Sequence, residues 1–269
     1  MAPTIVIIPA SFSPPVFYES LASALGDTGF HSMVVSLPSV GLRSDGDRPG
    51  TMLEDAAEIA RVVEELYDGQ NKDEVVLLAH SYGGIPACES MKSISMKNRR
   101  GRGKRGVVRM ILLAAIVLPV GLSNEEMRKR PPPDHVVVEV GLCCGDILEH
   151  TNRRQDDWIT VDHRLDAPYA FNDLPDVEGL AWAAKMKQQS TTSLKERATY
   201  PGYDDVDIHY IKCVDDATLP PQGTQRILDV IHDSSGRAAN LHEFPSGHCP
   251  NVSKPDELTQ FLRGILGGS

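Results

Sequence analysis

Short apolar runs alternate with amphipathic stretches through the first 118 residues of the chain. The apolar runs are rich in Val, Ile and Leu and predict strands at residues 4–8, 32–36, 74–79 and 107–114. The stretches between them repeat apolar residues at helical spacing and predict helices at about 17–25, 52–67 and 84–96. Strands of this kind, separated by helices, are typical of a mostly parallel sheet with helices on both faces.

The same alternation returns near the end of the chain. Strands are predicted at 206–213 and 240–244, and helices at 222–232 and 255–266. The middle, residues 119–201, holds prolines, charges and irregular helical pieces, of which 180–189 is the clearest. We therefore expect one α/β core built from residues 1–118 and 202–269, with residues 119–201 inserted as a helical cap.

The net charge and the hydropathy of the chain limit the kinds of molecule that it is expected to bind. The formal net charge is −10, which argues against a general nucleic-acid binder. A basic run at residues 97–105 (KNRRGRGKR) has no aromatic residue among its charges and predicts a solvated loop. No apolar run approaches the ~18 residues of a membrane span. We expect a small-molecule substrate, no nucleic acid and no membrane, and no pattern indicates an oligomeric state.

The cysteines and the N-terminus indicate a compartment. Five cysteines are an odd number without metal-type spacing, which predicts reduced thiols. The first apolar run is too short for a signal sequence and has no cationic segment before it. We therefore expect a cytoplasmic protein. No Gly-rich phosphate loop follows a strand and no histidine or cysteine cluster has ligand spacing, so we expect no metal and no cofactor.

Residues 79–83 (AHSYG) carry the clearest chemical signal. They lie between a predicted strand and a predicted helix, and Ser81 has small residues two positions before and after it. This pattern predicts a nucleophile elbow, in which a sharp turn holds a serine hydroxyl exposed above the sheet. Ala79 stands where the pattern has glycine. The neighbouring His80 is expected to point away from Ser81 and to pack.

A nucleophilic serine needs a base and an acid, each placed after a later strand. His248 follows the predicted strand 240–244, and a glycine precedes it, so we predict that it is the base. The acid is expected after strand 206–213, where both Asp215 and Asp216 are available.

The oxyanion formed in such a reaction needs two backbone donors. One is predicted to be the N–H of Tyr82, and the other that of Ser11 or Phe12 in the loop after the first strand. Trp158 and Trp182, in the predicted cap, could line a substrate pocket or pack in the core.

Several segments resemble the α/β-hydrolase superfamily across nearly the whole chain. They are the elbow, residues 8–15 (IPASFSPP), 36–41 (SLPSVG), 213–220 (CVDDATLP), and Gly247-His248 followed by 254–258 (KPDEL). The similarity is greatest to the small-capped branch that includes plant methylesterases, hydroxynitrile lyases and fungal natural-product hydrolases. The resemblance implies an α/β-hydrolase fold and aligns Asp216 with the family's acid. The lyases have threonine and lysine where this chain has Ala10 and Cys249, which argues against cyanohydrin cleavage.

These observations predict a serine hydrolase with the triad Ser81, Asp216 and His248. It would cleave a carboxylic ester, thioester or lactone of a small, mostly apolar molecule through an acyl-enzyme, in the setting of secondary metabolism. Two alternatives remain open at this stage. The same fold could catalyse a non-hydrolytic cyclisation, isomerisation or lyase reaction in natural-product biosynthesis, or it could bind a small molecule without catalysis.

Overall fold

A six-stranded parallel sheet forms the centre of the molecule. The structure, a computed structural model, describes residues 2–41, 48–68, 74–100, 105–129, 151–154 and 158–267. The sheet strands are β1 (Thr4–Ile8), β2 (Ser32–Val34), β3 (Val75–His80), β4 (Arg109–Leu113), β8 (Asp207–Cys213) and β9 (Asn240–Phe244). Their order across the sheet is β2-β1-β3-β4-β8-β9, and every neighbouring pair is parallel.

The strands β1 and β3 are almost entirely apolar because both of their faces are buried. In β1, Val6 and Ile8 belong to one apolar cluster, and Ile5 and Ile7 belong to the other. Successive side chains of a strand point to opposite faces, so a continuous aliphatic run supplies both clusters. This explains why the apolar runs of the sequence predicted the strands.

Helices cover both faces of the sheet. The helices of the core are α1 (Glu19–Asp27), α2 (Met52–Asp68), α3 (Gly84–Ile94), α4 (Met96–Arg99), α9 (Pro221–Ser235), α10 (Pro250–Ser253) and α11 (Pro255–Gly267). Apolar residues of α2, α3 and α9 pack in the first cluster, and those of α1 and α11 pack in the second. Short 3₁₀ helices lie at Pro15–Tyr18, Ser81–Gly83 and Gly202–Asp204.

The segment between β4 and β8 contains small elements of its own. They are α5 (Asn124–Lys129), β5 (Thr151–Arg154), β6 (Trp158–Val161), α6 (His163–Ala170), α7 (Asp176–Ala183), β7 (Gln189–Ser190) and α8 (Thr191–Lys195). Strands β5, β6 and β7 form an antiparallel sheet. Residues 130–150 and 155–157 of the predicted cap lie outside the described residues. The division of the chain at residues 118 and 202 stays a prediction.

Two local predictions are wrong. The helix expected at 180–189 ends at Ala183, and Gln189 instead joins a strand because its backbone pairs with β6 and its side chain is fully buried. The basic run is not wholly a solvated loop. Met96–Arg99 is helical, and the buried Arg99 Nη1 lies 3.2 Å from Oε1 of Glu64. Residues 101–104 of that run lie outside the described residues.

In the part of the chain that the structure describes, no helix has both the length and the apolar composition that a membrane crossing requires.

Candidate active site

Ser81 sits in a sharp turn directly after β3. Its φ is +51°, in the left-handed region that non-glycine residues rarely adopt. The Ser81 carbonyl accepts a hydrogen bond from the N–H of Ile116 at 2.9 Å, which ties the turn to the chain after β4. Such backbone strain persists only where the surrounding structure enforces it, and it is typical of functional sites.

Close packing explains the small residues on either side of Ser81. A Cβ on Gly83 would lie 2.6 Å from the carbonyl oxygen of Pro9 and 2.7 Å from that of Ile8, so no side chain fits there. Ala79, two residues before the serine, is fully buried in the first apolar cluster. The position where the elbow pattern has glycine therefore accommodates a methyl group in this chain.

The structure brings Ser81, His248 and Asp216 together in line. Nε2 of His248 lies 3.0 Å from Oγ of Ser81, and its Nδ1 lies 2.7 Å from Oδ2 of Asp216. All three residues are buried. Asp215 is exposed and does not take this position. Its backbone N–H donates to the carbonyl of Ser246 at 3.0 Å.

The surroundings of His248 act on its pKa in opposite directions. Burial lowers the pKa, whereas the Asp216 carboxylate raises it through its charge and its hydrogen bond, and Asp166 adds a further raising charge. The pKa of His248 is consequently raised above the ordinary 6.5. A ring whose pKa is raised by nearby carboxylates is suited to accept a proton from a serine hydroxyl.

Residues 172 and 173, in the segment predicted as a cap, hold the loops that carry His248 and Asp216. Nδ2 of Asn172 donates to the Asp215 carbonyl at 2.7 Å, and Oδ2 of Asp173 accepts from the Gly247 N–H at 2.9 Å. A Cβ at Gly247 would lie 2.4 Å from Oδ1 of Asn172. Glycine before the histidine therefore allows the close approach of the cap.

Ser11 and Phe12, the alternative oxyanion donors in the loop after β1, differ in the partners of their backbone N–H groups. The Phe12 N–H donates to Oε1 of Gln189 at 3.2 Å, so this predicted donor is occupied within the protein. The φ of Phe12 is +60°, and this turn directs its N–H toward the cap instead of toward Ser81. Ser11 lines the cavity beside Ser81, and its N–H has no protein acceptor among the described residues. The geometry favours Ser11.

Comparison with known families decides the classification. The sequence model described as the alpha/beta hydrolase family matches residues 5–261. The chain belongs to the alpha/beta hydrolase family. This confirms the resemblance drawn from the elbow and the loops around it.

Relatives of this α/β hydrolase share its whole length. The chain is 30% identical over 266 residues to probable hydrolase R7 of Phoma sp., covering 98% of each protein. The pyrethroid hydrolase PytH from Sphingobium faniae has a similar fold, with 16% identity, a TM-score of 0.73, and coverage of 100% of this chain and 98% of that one. Polyneuridine aldehyde esterase gives 17% identity, a TM-score of 0.70, and coverage of 98% and 99%.

A cavity of about 90 Å³, partly open to solvent, lies above the serine of this α/β hydrolase. Ser11, Ser81 and His248 line one end, and apolar side chains that include Ile116, Met186 and Leu194 line the walls. Trp158 and Trp182 are not among the described residues that line this cavity, and a role for either in a substrate pocket stays a prediction. Trp182 packs on Phe17 instead, with ring centroids 5.4 Å apart.

Polar residues that the sequence analysis missed also reach this site. Asn124 lines the cavity while 6% exposed, and its Oδ1 has no hydrogen-bond partner among the described residues. Asp166 lines it as well. Tyr18, Asp55 and Gln189 lie behind the oxyanion loop and Tyr82. None of these belongs to a local motif, and only the folded chain brings them together.

Among the described residues, no group of three or more His, Cys, Asp or Glu side chains has the geometry to hold a metal ion.

Proposed function

We propose that this α/β hydrolase is a serine hydrolase acting on a carboxylic ester, thioester or lactone of a small, mostly apolar molecule. The observation that carries the proposal is the hydrogen-bonded series from Ser81 Oγ to His248 Nε2 at 3.0 Å and from His248 Nδ1 to Asp216 Oδ2 at 2.7 Å. Nucleophile, base and orienting acid in this arrangement are what acyl transfer through serine requires.

In the proposed reaction, Ser81 Oγ attacks the substrate carbonyl while His248 Nε2 takes its proton. The carbonyl oxygen becomes an oxyanion, which accepts hydrogen bonds from the N–H groups of Ser11 and Tyr82. Tyr82 lies in the first turn of a helix, where N–H groups lack intrahelical acceptors. His248 then donates its proton to the leaving alkoxide or thiolate as the acyl-enzyme forms.

Water completes the proposed cycle. It attacks the acyl carbonyl while His248 accepts one of its protons, and that proton returns to Ser81 Oγ as the carboxylic acid leaves. Asp216 stays ionised throughout, holds Nδ1 protonated and stabilises the imidazolium.

The cavity walls supply the argument for the substrate class. Ile116, Met186 and Leu194 favour an apolar acyl or alcohol group, as ligand pockets of this kind commonly do. The buried carboxamide of Asn124 has hydrogen-bonding capacity that the described protein does not use. We propose that its unpaired Oδ1 accepts a hydrogen bond from a hydroxyl group of the substrate away from the scissile bond.

A panel of p-nitrophenyl esters of increasing acyl length, together with a fluorophosphonate probe, tests the proposal. We expect an initial burst of p-nitrophenol from the wild type and covalent labelling of Ser81. Ser81→Ala should lose at least about 10⁴-fold in kcat and all labelling. The control is Ser90→Ala, because Ser90 is buried on α3 and its hydroxyl only donates to the Ala87 carbonyl.

The outcomes separate the functions that the fold allows. Turnover retained by Ser81→Ala would overturn the covalent mechanism. Labelling of Ser81 without cleavage of any ester would favour a non-hydrolytic reaction at the same triad. Absence of both labelling and cleavage in the wild type would favour a binding protein.

A further inference from the structure

We propose that Tyr18 and Gln189 are positioning residues that clamp the oxyanion loop from both sides. They hold the N–H groups of Ala10 and Phe12, so that within this loop the Ser11 N–H is left to join the Tyr82 N–H at the reacting carbonyl. The inference rests on the proposed function, because it assigns the way in which the oxyanion site of that reaction is held. Neither residue touches the substrate in this scheme.

The first side of the clamp acts on Ala10. The Ala10 N–H lies 2.8 Å from Oη of Tyr18, that oxygen lies 2.7 Å from Nδ1 of His80, and Nε2 of His80 lies 2.9 Å from the His248 carbonyl oxygen. A backbone N–H can only donate and a carbonyl can only accept. Hence His80 donates through Nε2, and the Tyr18 hydroxyl donates to Nδ1 while accepting from Ala10.

The charge state of His80 agrees with these assignments of donor and acceptor. Burial, followed by the charge of the neighbouring His248, lowers the pKa of His80 to about 3. The ring is therefore neutral at physiological pH, with one nitrogen donating and the other accepting. Through Tyr18 and His80, the oxyanion loop is connected to the backbone of the proposed base.

The second side of the clamp acts on Phe12. Its N–H donates to Oε1 of Gln189 at 3.2 Å, which fixes the orientation of that carboxamide. Nε2 of Gln189 then donates to the hydroxyls of Ser39 at 2.9 Å and of Ser193 at 2.7 Å. Gln189 is fully buried, so its amide exchanges no hydrogen bonds with bulk water.

The hydrogen bonds that begin at Phe12 and Gln189 continue to Tyr82, which carries the other proposed oxyanion donor. The Ser39 hydroxyl donates to Oδ2 of Asp55 at 2.6 Å, and the Tyr82 hydroxyl donates to the same oxygen at 2.7 Å. The Phe12 end of the loop and the side chain of Tyr82 are thus joined through buried groups. This connection links the loop that carries the Ser11 N–H to the residue that carries the Tyr82 N–H.

The clamp explains why Ser11 is the donor. The N–H groups before and after it are each held by a buried side chain, whereas its own N–H has no protein acceptor among the described residues and Ser11 lines the cavity. Oxyanion stabilisation depends on donors that are fixed before charge develops. Misplacement of such a group by about 1 Å can lower a rate by about 10²-fold.

Tyr18→Phe and Gln189→Met test the clamp, since each removes the hydrogen bond and keeps most of the side-chain volume. With p-nitrophenyl butyrate we expect kcat to fall about 10- to 100-fold in each, with KM within about threefold. Binding of a trifluoromethyl ketone, which forms a tetrahedral adduct with serine, should weaken by the same factor. Ground-state binding should change little.

Tyr203→Phe is the matched control. Tyr203 is another buried tyrosine, and its hydroxyl donates to the Leu118 carbonyl at 3.2 Å, away from the oxyanion loop. The control should lose thermal stability as Tyr18→Phe does, but keep the kcat of the wild type. A kcat within twofold of wild type for both Tyr18→Phe and Gln189→Met would overturn the proposal, as would a change confined to KM.

Amide hydrogen exchange of the wild type gives a measurement that needs neither activity nor a folded variant. We expect the Ala10 and Phe12 amides to exchange slowly and the Ser11 amide between them to exchange fast. Equal protection of all three amides would contradict the clamp. If the wild type fails to label with fluorophosphonate, the proposed function fails, whereas the exchange pattern still decides whether the loop is held in this way.

Discussion

Asp215 and Asp216 are neighbours in the chain, yet their side chains lie in different environments. Asp216 is 8% exposed, and its Oδ1 accepts the N–H groups of Thr218 at 2.8 Å and Leu219 at 2.7 Å, which leaves Oδ2 for His248. Asp215 is exposed and is held by its backbone, which bonds to Ser246 and Asn172. Only Asp216 can orient the ring of His248.

Replacement of each aspartate by asparagine makes this difference measurable. Asp216→Asn should lower kcat/KM on p-nitrophenyl esters by about 10⁴-fold, because an amide can hold His248 in the wrong tautomer. Asp215→Asn should stay within about twofold of wild type. Equal losses in the two variants would show that Asp216 has no special role.

The pH dependence gives a second check on the same residue. The wild type needs neutral His248, so kcat/KM should fall as the pH drops through the raised pKa of that residue, above 6.5. Without the carboxylate, the residual activity of Asp216→Asn should persist to lower pH.

Local sequence could locate Ser81 and His248, and could narrow the acid to two residues, because each follows the end of a parallel strand. Gln189 could not be found in this way. Its contact with Phe12 joins residues 177 positions apart, and no motif surrounds it. Asparagine, glutamine and tyrosine become site residues only through burial and partners, which single-sequence patterns do not encode.

At the scale of elements, the turn that follows α6 is hydrogen-bonded to the loops after β8 and β9. Oδ2 of Asp173 accepts both the Gly247 N–H at 2.9 Å and the Ser253 hydroxyl at 2.7 Å. These bonds hold the residue directly before His248 and the end of the short helix α10 that follows it. The position of the proposed base therefore depends on a residue of the cap.

Asp173→Ala should release this segment. We expect a loss of about 2 kcal/mol in unfolding free energy, because two hydrogen bonds to a carboxylate disappear, and a fall of about tenfold in kcat. Asp173→Asn keeps an acceptor oxygen for both donors and should remain near wild type. Asp176→Ala, on an exposed residue of α7, controls for loss of charge. An unchanged kcat in Asp173→Ala would show that the cap does not position His248.

The sequence predicted elements correctly where burial alone determined the composition, and incorrectly where tertiary contacts competed with helical spacing. The strands β1, β3 and β4 are buried along nearly their whole length, so their apolar composition identified them. The helical spacing at 180–189 was overridden because Gln189 pairs with β6 and binds the oxyanion loop. Tertiary contacts of this kind outweigh propensities that differ by less than about 1 kcal/mol per residue.

At the scale of the whole molecule, the buried carboxylate of Asp55 connects site geometry to stability. It is fully buried and accepts hydrogen bonds from the Ser39 N–H, the Ser39 hydroxyl and the Tyr82 hydroxyl. Burial raises its pKa from 3.8 to about 7, although these hydrogen bonds act in the opposite direction. The native state therefore releases this proton at a higher pH than the unfolded chain does.

The sign of the resulting pH dependence follows from proton binding. Between the unfolded pKa of 3.8 and the folded pKa of about 7, the native state holds a proton at Asp55 that the unfolded state has released. The stabilisation is complete below pH 3.8 and is lost as the pH rises through about 7. At about 1.4 kcal/mol for each pKa unit, the full change is about 4 kcal/mol.

Asp55→Asn removes this titration and keeps the shape of the side chain. Its amide can donate to the hydroxyls of Ser39 and Tyr82, which rotate to accept, while its oxygen still accepts the Ser39 N–H. We expect urea unfolding to show that wild type loses stability relative to Asp55→Asn as the pH is raised from 5 to 8.

The control is Asp229→Asn, on an exposed residue of α9, whose unfolding free energy should change with pH as that of the wild type does. His80 and His248 titrate in both proteins, so their contributions cancel in the difference. A constant difference between wild type and Asp55→Asn across this range would mean that Asp55 is ionised in the native state, and that the connection between Gln189 and Tyr82 holds a buried charge at neutral pH.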